Sequence, residues 1–307
     1  MTNPTMRNAQ AMLISSPKDS HPPSALDSAR LEPLDDGHKE EVLRFLGTRP
    51  VYTFIMSSWI RDNGLASSLN RGTFYGCRNA QGQLDGVALI GHTTLFETEN
   101  NTALAAFARL TKTCPSAHVV LGRAERVDRF LGYYMHGPVK PRMVCYELLF
   151  QKNLSANVET VTSLRPATSE ELELVVPIHA LTAFEESGLN PLERDPAGFR
   201  ERCARRIQQG RVWLAIENGK LKFKADVVSE TPEVVYLEGV YVDPVHRGNG
   251  YGSRCMTQLT NHLLERTKSV CLLVNQSNWA AQVCYRKAGF EFHEYYDTIY
   301  LHQQIVN

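Results

Sequence analysis

The fold of this chain is decided by residues 234–253, which read VVYLEGVYVDPVHRGNGYGS. The first nine are mostly β-branched or aromatic and predict a strand, which Asp243-Pro244 ends. Apolar residues then recur at helical spacing over 253–267, so a glycine-rich loop joins a strand to the start of a helix. Such a junction can bind phosphate, because unpaired N–H groups of the first helical turn point at the anion. A plain tight turn is the alternative.

A second motif lies about thirty residues further on. Residues 247–252 fit the pattern Arg/Gln-x-x-Gly-x-Gly/Ala, and residues 278–290 fit Asn-x-x-Ala-x-x-x-Tyr-x-x-x-Gly-Phe. Two such motifs in this order resemble the GNAT acetyltransferase superfamily, whose first loop holds the pyrophosphate of acetyl-CoA. The resemblance implies an α/β (α+β) fold with two GNAT-like domains, each a mixed, mostly antiparallel central sheet flanked by helices.

The resemblance also implies an acetyl-CoA site on the strand, the loop and the later helix. Its residues would be Val240, Tyr241, Val242, Arg247, Gly248, Asn249, Gly250, Tyr251, Gly252, Ser253 and Asn278. In the family the pantetheine arm passes between two splayed strands and hydrogen-bonds backbone groups, here those of residues 240 and 242. The residue types at its two ends predict the bounds of the later helix, with Asn278 as the N-cap and Gly289 in the left-handed conformation at C′.

Two residues are predicted to carry the proton transfers. Tyr285 lies where the family holds the sulfur and is the expected donor to the CoA thiolate, with a buried core tyrosine as the alternative. Glu238 is the candidate general base, with a salt-bridged carboxylate as the alternative. Strand alternation predicts that its side chain shares a face with Val240 and Val242.

The acceptor is expected to bind near Glu185 and Glu186. These residues lie between helices predicted at 168–183 and 196–208, where the superfamily usually places its acceptor loop. They are substrate-binding candidates and rival bases, and a solvated surface pair is the alternative. Lysines 220, 222 and 224 alternate along a strand and are interpreted as a solvated sheet edge.

The two halves of the chain repeat one order of elements, a hairpin followed by a helix, a short strand and another helix. The first half lacks about fifteen residues and the glycine loop. We predict a disordered tail at 1–28, a degenerate GNAT-like domain at 29–150, a linker at 151–160 and a catalytic domain at 161–307. The degenerate domain is expected to bind no CoA and to shape the acceptor site or the structure. A fragment of residues 154–307 is expected to keep the cofactor site.

The composition of the chain excludes several classes of partner and cofactor. Lys plus Arg equals Asp plus Glu at 33 each, which argues against nucleic acid or an anionic membrane surface as partner. The sequence contains no run of roughly 20 apolar residues, the length needed to span a bilayer, so a cytoplasmic location is expected. The seven cysteines form no C-x-x-C pair, and no metal is expected.

The leading hypothesis is an acyl-CoA-dependent N-acyltransferase with acetyl-CoA as the expected donor. The acceptor would be a primary amine of a small molecule or peptide, which attacks directly. A non-catalytic acyl-CoA-binding regulatory protein is the alternative. The presence of Tyr285 favours the enzyme, and the uncertain base favours the regulator.

Overall fold

The computed structural model describes residues 30–135 and 141–302, so the predicted tail at 1–28 lies outside the described residues. Strands in these ranges are β1 (Leu31–Pro33), β2 (Gly72–Arg78), β3 (Leu84–Gly91), β4 (Thr93–Glu97), β5 (Val119–Arg123), β6 (Met143–Lys152), β7 (Leu164–Pro166), β8 (Val212–Glu217), β9 (Lys220–Glu230), β10 (Val235–Val242), β11 (Val270–Asn275) and β12 (Glu291–Tyr300). The α-helices there are α1 (Lys39–Leu46), α2 (Pro50–Asn63), α3 (Asn101–Lys112), α4 (Ala124–Tyr134), α5 (Leu172–Ser187), α6 (Pro191–Arg194), α7 (Pro196–Gln208), α8 (Tyr251–Leu264) and α9 (Trp279–Lys287). Short 3-10 turns occur at Asp36–His38, Ser68–Asn70, Ser169–Glu171 and Pro244–His246.

The described strands form one continuous sheet in the order β1-β2-β3-β4-β5-β12-β6-β11-β10-β9-β8-β7. The order β1 to β5 in the first half is repeated by β7 to β11 in the second half. In each half the last of these pairings, β4 with β5 and β10 with β11, is parallel, and the other pairings are antiparallel. The predicted fold class, two mixed and mostly antiparallel units, is confirmed.

The last strand of each half pairs with the other half. Strand β6 lies between β12 and β11, and β12 lies between β5 and β6. The pairing of β6 with β11 runs from Lys152, opposite Val270, to Glu147, opposite Asn275. A fragment that begins at residue 154 would therefore lack the strand on which β11 pairs. That such a fragment keeps the cofactor site stays a prediction, and it would have to do so without β6.

Helix α2 of the first half also lies across the second half. It begins with Pro50, whose fixed backbone angle suits the first helical position. The ring of Phe54 stacks on Tyr236 of β10 with centroids 4.5 Å apart, and Ser229 of β9 donates to the Phe54 carbonyl at 2.6 Å. The first half therefore forms part of one face of the second-half sheet.

Helices α8 and α9, which flank β11, are fixed by an apolar stripe and by capping residues. Helix α8 buries an apolar stripe against the opposite face of the sheet, at Cys255, Met256, Leu259 and Leu263. The Asn278 side chain accepts a hydrogen bond from the Ala281 N–H at 3.1 Å, and Gly289 has a φ of 89°. Both caps predicted for α9 are confirmed. No helix in the described ranges is long and apolar enough to cross a membrane.

Candidate functional site

A gap opens in the second-half sheet where β10 leaves β11. The two strands pair only from Val235 to Leu237, although β10 continues to Val242 and β11 to Asn275. The Asp243 N–H donates to the Lys222 carbonyl on β9 at 2.9 Å. Because backbone groups alternate in direction along a strand, those of Val242 point away from β9 and towards the gap. The structure thus places the predicted strand positions where β10 and β11 separate.

The glycine loop closes one end of this gap. Gly248 and Gly250 have φ values of 79° and 82°, a left-handed conformation that strongly favours glycine. A Cβ on Gly248 would meet no atom within 4 Å, so the loop is open there. Arg247 donates from Nε to the Val242 carbonyl at 2.9 Å and so ties the loop to the strand end.

The start of α8 is arranged as an anion site would require. Its N-cap, Gly250, has no side chain to cover the amides of the first turn. Asn249 takes one of them, since its Oδ1 accepts from the Tyr251 N–H at 3.1 Å. The amides of Gly252 and Ser253 belong to the same first turn, where N–H groups lack helical acceptors. A Cβ on Gly252 would lie 2.8 Å from Val242, so glycine is needed for the close approach.

Glu238 does not share a face with Val240 and Val242, so the parity prediction is wrong. Between Glu238 and Tyr241 the pairing with β9 shifts by one residue, which is a β-bulge. At the bulge Gly239 has a φ of 58°. The bulge turns Val240 and Val242 into the core under α8. Glu238 instead accepts a hydrogen bond from the Tyr236 hydroxyl at 3.4 Å, on the opposite face.

On that opposite face Glu238 lies among buried charges. Its Cα partner across the sheet is Asp226, which is 1% exposed. Lys224, 0% exposed, donates from Nζ to Asp226 at 2.6 Å and to the Gly239 carbonyl at 3.3 Å. This ion pair therefore holds the bulge in place. The interpretation of Lys224 as part of a solvated edge is wrong, because β9 lies inside the sheet and α2 and α5 cover this face.

His179 of α5 and Arg206 of α7 complete this polar cluster. Arg206 lies 3.1 Å from His179 Nε2, and His179 Nδ1 lies 3.6 Å from Asp226. Burial lowers the pKa of His179 to about 3, so the ring is neutral and, with Arg206 donating to Nε2, carries its proton on Nδ1. Burial raises the pKa of Glu238, against the opposing charges of Arg206 and Lys224. A carboxylate with a raised pKa is a stronger base once it is ionised.

Sequence reasoning missed this cluster, namely His179, Arg206, Lys224 and Asp226. One pattern could have pointed to it, because a lysine and an aspartate two residues apart on an interior strand share one face. A glycine inside a strand, here Gly239, is likewise typical of a bulge.

Tyr285 lies on the face of α9 that packs into the core. It is 7% exposed, and its ring meets Phe290 edge-on with centroids 6.0 Å apart. Ala281 and Cys284 of the same helix also pack against this core. Helix α9 is fixed to the end of β11, because Gln282 donates to the Gln276 carbonyl at 2.8 Å.

The predicted acceptor loop is helical. Helix α5 runs through Glu185 and Glu186 to Ser187 and ends at Gly188, whose φ is 68°. The Gly188 N–H donates to the Phe184 carbonyl at 2.8 Å, which closes the last turn. Glu185 is exposed. Burial raises the pKa of Tyr241 at the gap, and the charges of Asp243 and Glu185 add to this shift. The side chain of Glu186 lies outside the described part of the structure.

The first half contains an equivalent gap that is filled. Strands β4 and β5 pair only at Thr93–Thr94 with Val119–Val120 before they diverge. Arg126, 7% exposed, donates from Nη2 to the Thr98 carbonyl at 2.8 Å. A cavity of about 20 Å³ is left, enough for about one water molecule. The Asn100 side chain also caps two amides at the start of α3, so this helix offers fewer free donors than α8.

Comparisons with known proteins agree with this architecture. A family model described as FR47-like protein matches residues 224–298. A UPF0039 protein of Schizosaccharomyces pombe is 35% identical over 85 residues, which are 28% of this chain and 57% of that protein. The match thus spans little more than half of the curated relative.

Several solved structures share the fold over nearly the whole chain. A Drosophila protein from a structural genomics programme has a TM-score of 0.63 at 14% identity, over 90% of this chain and 99% of that one. A GNAT-family acetyltransferase from Colwellia psychrerythraea has a TM-score of 0.55 at 15% identity, over 89% and 100%. A tandem GNAT protein from the clavulanic acid biosynthesis pathway has a TM-score of 0.54 at 13% identity, over 91% and 100%.

Proposed function

We propose that this chain is a GNAT-type, acyl-CoA-dependent N-acyltransferase with acetyl-CoA as donor, a proposal supported by the family-model match and by the fold it shares with a tandem GNAT protein. The acceptor is a primary amine of a small molecule or a peptide, which attacks the thioester directly. The zero net charge of the chain supports such an acceptor over a nucleic acid. We place the enzyme in the cytoplasm.

The observation that carries this proposal is the gap between β10 and β11 with the glycine loop at its end. The gap directs the N–H of Val242 outwards, as an added extended chain would need, while the Val242 carbonyl accepts from Arg247. The open loop and the first turn of α8 supply amides for a pyrophosphate at Gly248, Gly250 and Ser253. The residues present therefore fit the donor, and they lie in the second half.

Two side chains would move the protons. Glu238, desolvated on the face covered by α2 and α5, would accept a proton from the acceptor ammonium. Tyr285 would donate a proton to the departing thiolate from the core face of α9. Because Glu238 and the core under α8 lie on opposite faces, the acceptor would approach the gap from the α2 and α5 side. Glu185, exposed near the end of α5, would then lie along that approach.

Thiol release tests this function. The protein is incubated with acetyl-CoA and a pool of primary amines, and free thiol is followed with a disulfide reagent. Release that requires both an amine and the protein supports the proposal, and separating the pool identifies the acceptor class. Acetyl-CoA binding without thiol release for any amine would favour the regulatory protein instead.

A further inference from the structure

The exchanged strand β6 brings a carboxylate of the first half to the gap of the second half. Glu147 lies on β6 opposite Asn275 of β11 and opposite Tyr296 of β12. Asn275 is the last residue of β11, three residues beyond Leu272, where the pairing with β10 stops. Glu147 is therefore at the level where the gap is open.

Glu147 and Glu238 project from the same face of the sheet. Leu149, two residues along β6, packs in one cluster with Tyr236 of β10 and Phe54 of α2. Side chains two apart on a strand share a face, so Glu147 follows Leu149 and Glu238 follows Tyr236. The adjacent residues Leu148 and Phe150 pack on the other face, in the core under α8. The two halves therefore each supply one carboxylate to the α2 and α5 side of the gap.

The surroundings of Glu147 provide one hydrogen bond and no cation. Thr298 donates from Oγ1 to Glu147 Oε2 at 2.5 Å. Among the described residues Glu147 has no ion-pair partner, whereas the cations near Glu238, Lys224 and Arg206, pair with Asp226. Burial raises the pKa of Glu147 to about 7, and the negative charges of Glu238 and Asp297 add to the shift. A cation bound beside Glu147 would relieve that cost.

We propose that Glu147 binds the ammonium group of the acceptor and thereby positions it for proton loss to Glu238. The inference rests on the proposed function and deepens it, because it makes the acceptor site a joint product of the two halves. It also disfavours an acceptor with a free carboxylate next to the amine, since Glu147 and Glu238 would repel that carboxylate. The proton moves from the ammonium nitrogen to Glu238, and Glu147 keeps its charge throughout.

Binding of simple amines tests this inference without requiring turnover. The thermal midpoint of the full chain, saturated with CoA, is measured with n-butylamine or glycinamide and with n-butanol as the neutral probe. We expect the amines to raise the midpoint of the wild type and n-butanol to leave it unchanged. Glu147→Gln should lose the shift, and Glu291→Gln, on the exposed start of β12, should keep it. An unchanged shift in Glu147→Gln, or no shift in the wild type, would overturn the inference.

Kinetics then separate this inference from the proposed function. With an acceptor found by thiol release, Glu147→Gln should raise the KM for the amine roughly 10- to 100-fold, the value of a charged hydrogen bond. The kcat and the KM for acetyl-CoA should change far less than the KM for the amine, and Glu147→Asp should restore part of the loss. An amine KM equal to that of the wild type contradicts the role of Glu147 while leaving the acyltransferase itself intact.

Discussion

Replacing Lys224 with methionine should strongly destabilise this protein. The lysine and Asp226 are both buried, 2.6 Å apart, and the second carboxylate oxygen of Asp226 has no hydrogen-bond partner. Lys224→Met keeps the length of the side chain but leaves a buried carboxylate without its closest cation. Breaking a buried pair in this way typically costs about 3–5 kcal/mol. In a chain of this size that loss lowers the midpoint of thermal unfolding by roughly 6–20 °C.

A matched lysine on the same strand provides the control. Lys222 lies 3.5 Å from Asp243, and these side chains are 12% and 20% exposed, so Lys222→Met should cost about 1 kcal/mol or less. Both variants are compared with the wild type by thermal and urea unfolding at pH 7. The double variant Lys224→Met/Asp226→Leu should recover much of the loss, because both buried charges are removed together. Equal losses for Lys224→Met and Lys222→Met would refute this reasoning.

Three further outcomes are expected. Gly239→Ala should cost roughly 1–2 kcal/mol more than Gly219→Ala, because both have positive φ but only the first Cβ would meet a neighbour, Asp226 Oδ2 at 2.9 Å. Equal unfolding midpoints for the two variants would contradict this close contact at the bulge. Tyr285→Phe should keep acetyl-CoA affinity but lower turnover by roughly 10²–10⁴, and unchanged turnover with chemistry rate-limiting would return Tyr285 to a core role. The folded-state pKa of Glu147, about 7 against a usual 4.5, means that the wild type loses stability as the pH rises between these values. Glu147→Gln should therefore gain roughly 2–3 kcal/mol on the wild type at pH 8 and nothing at pH 4, and a gain independent of pH would contradict the shift.

Local pattern predicted much of this fold. Both hairpins, the strand–loop–helix at 234–264 and the helix bounded by Asn278 and Gly289 follow from propensity, alternation and caps, which act within a few residues. The repeat of these elements also predicted that each half forms its own part of the sheet.

The exchange of β6 and β12 could not be predicted in the same way. Either strand is apolar enough to pair with β5 or with β11, and the choice depends on how the two halves join. Glu147 consequently escaped notice, because in the sequence it belongs to the half without a glycine loop. The face of Glu238 was predicted wrongly for a local reason. One extra residue at Gly239 forms a bulge, which reverses the alternation of side chains beyond it.

Calorimetry of acetyl-CoA binding tests the central claim most directly, that the single donor site lies at the gap and loop of the second half. Gly250→Glu would place a negative side chain at the start of α8. Gly82→Glu in the first-half hairpin is its matched control, because Gly82 has a similar φ of 79° and a Cβ at either glycine would come no closer than 3.6 Å to a neighbour. We predict one acetyl-CoA per chain for the wild type and for Gly82→Glu, and no measurable binding for Gly250→Glu. Undiminished affinity in Gly250→Glu, or two acetyl-CoA molecules per wild-type chain, would contradict the account.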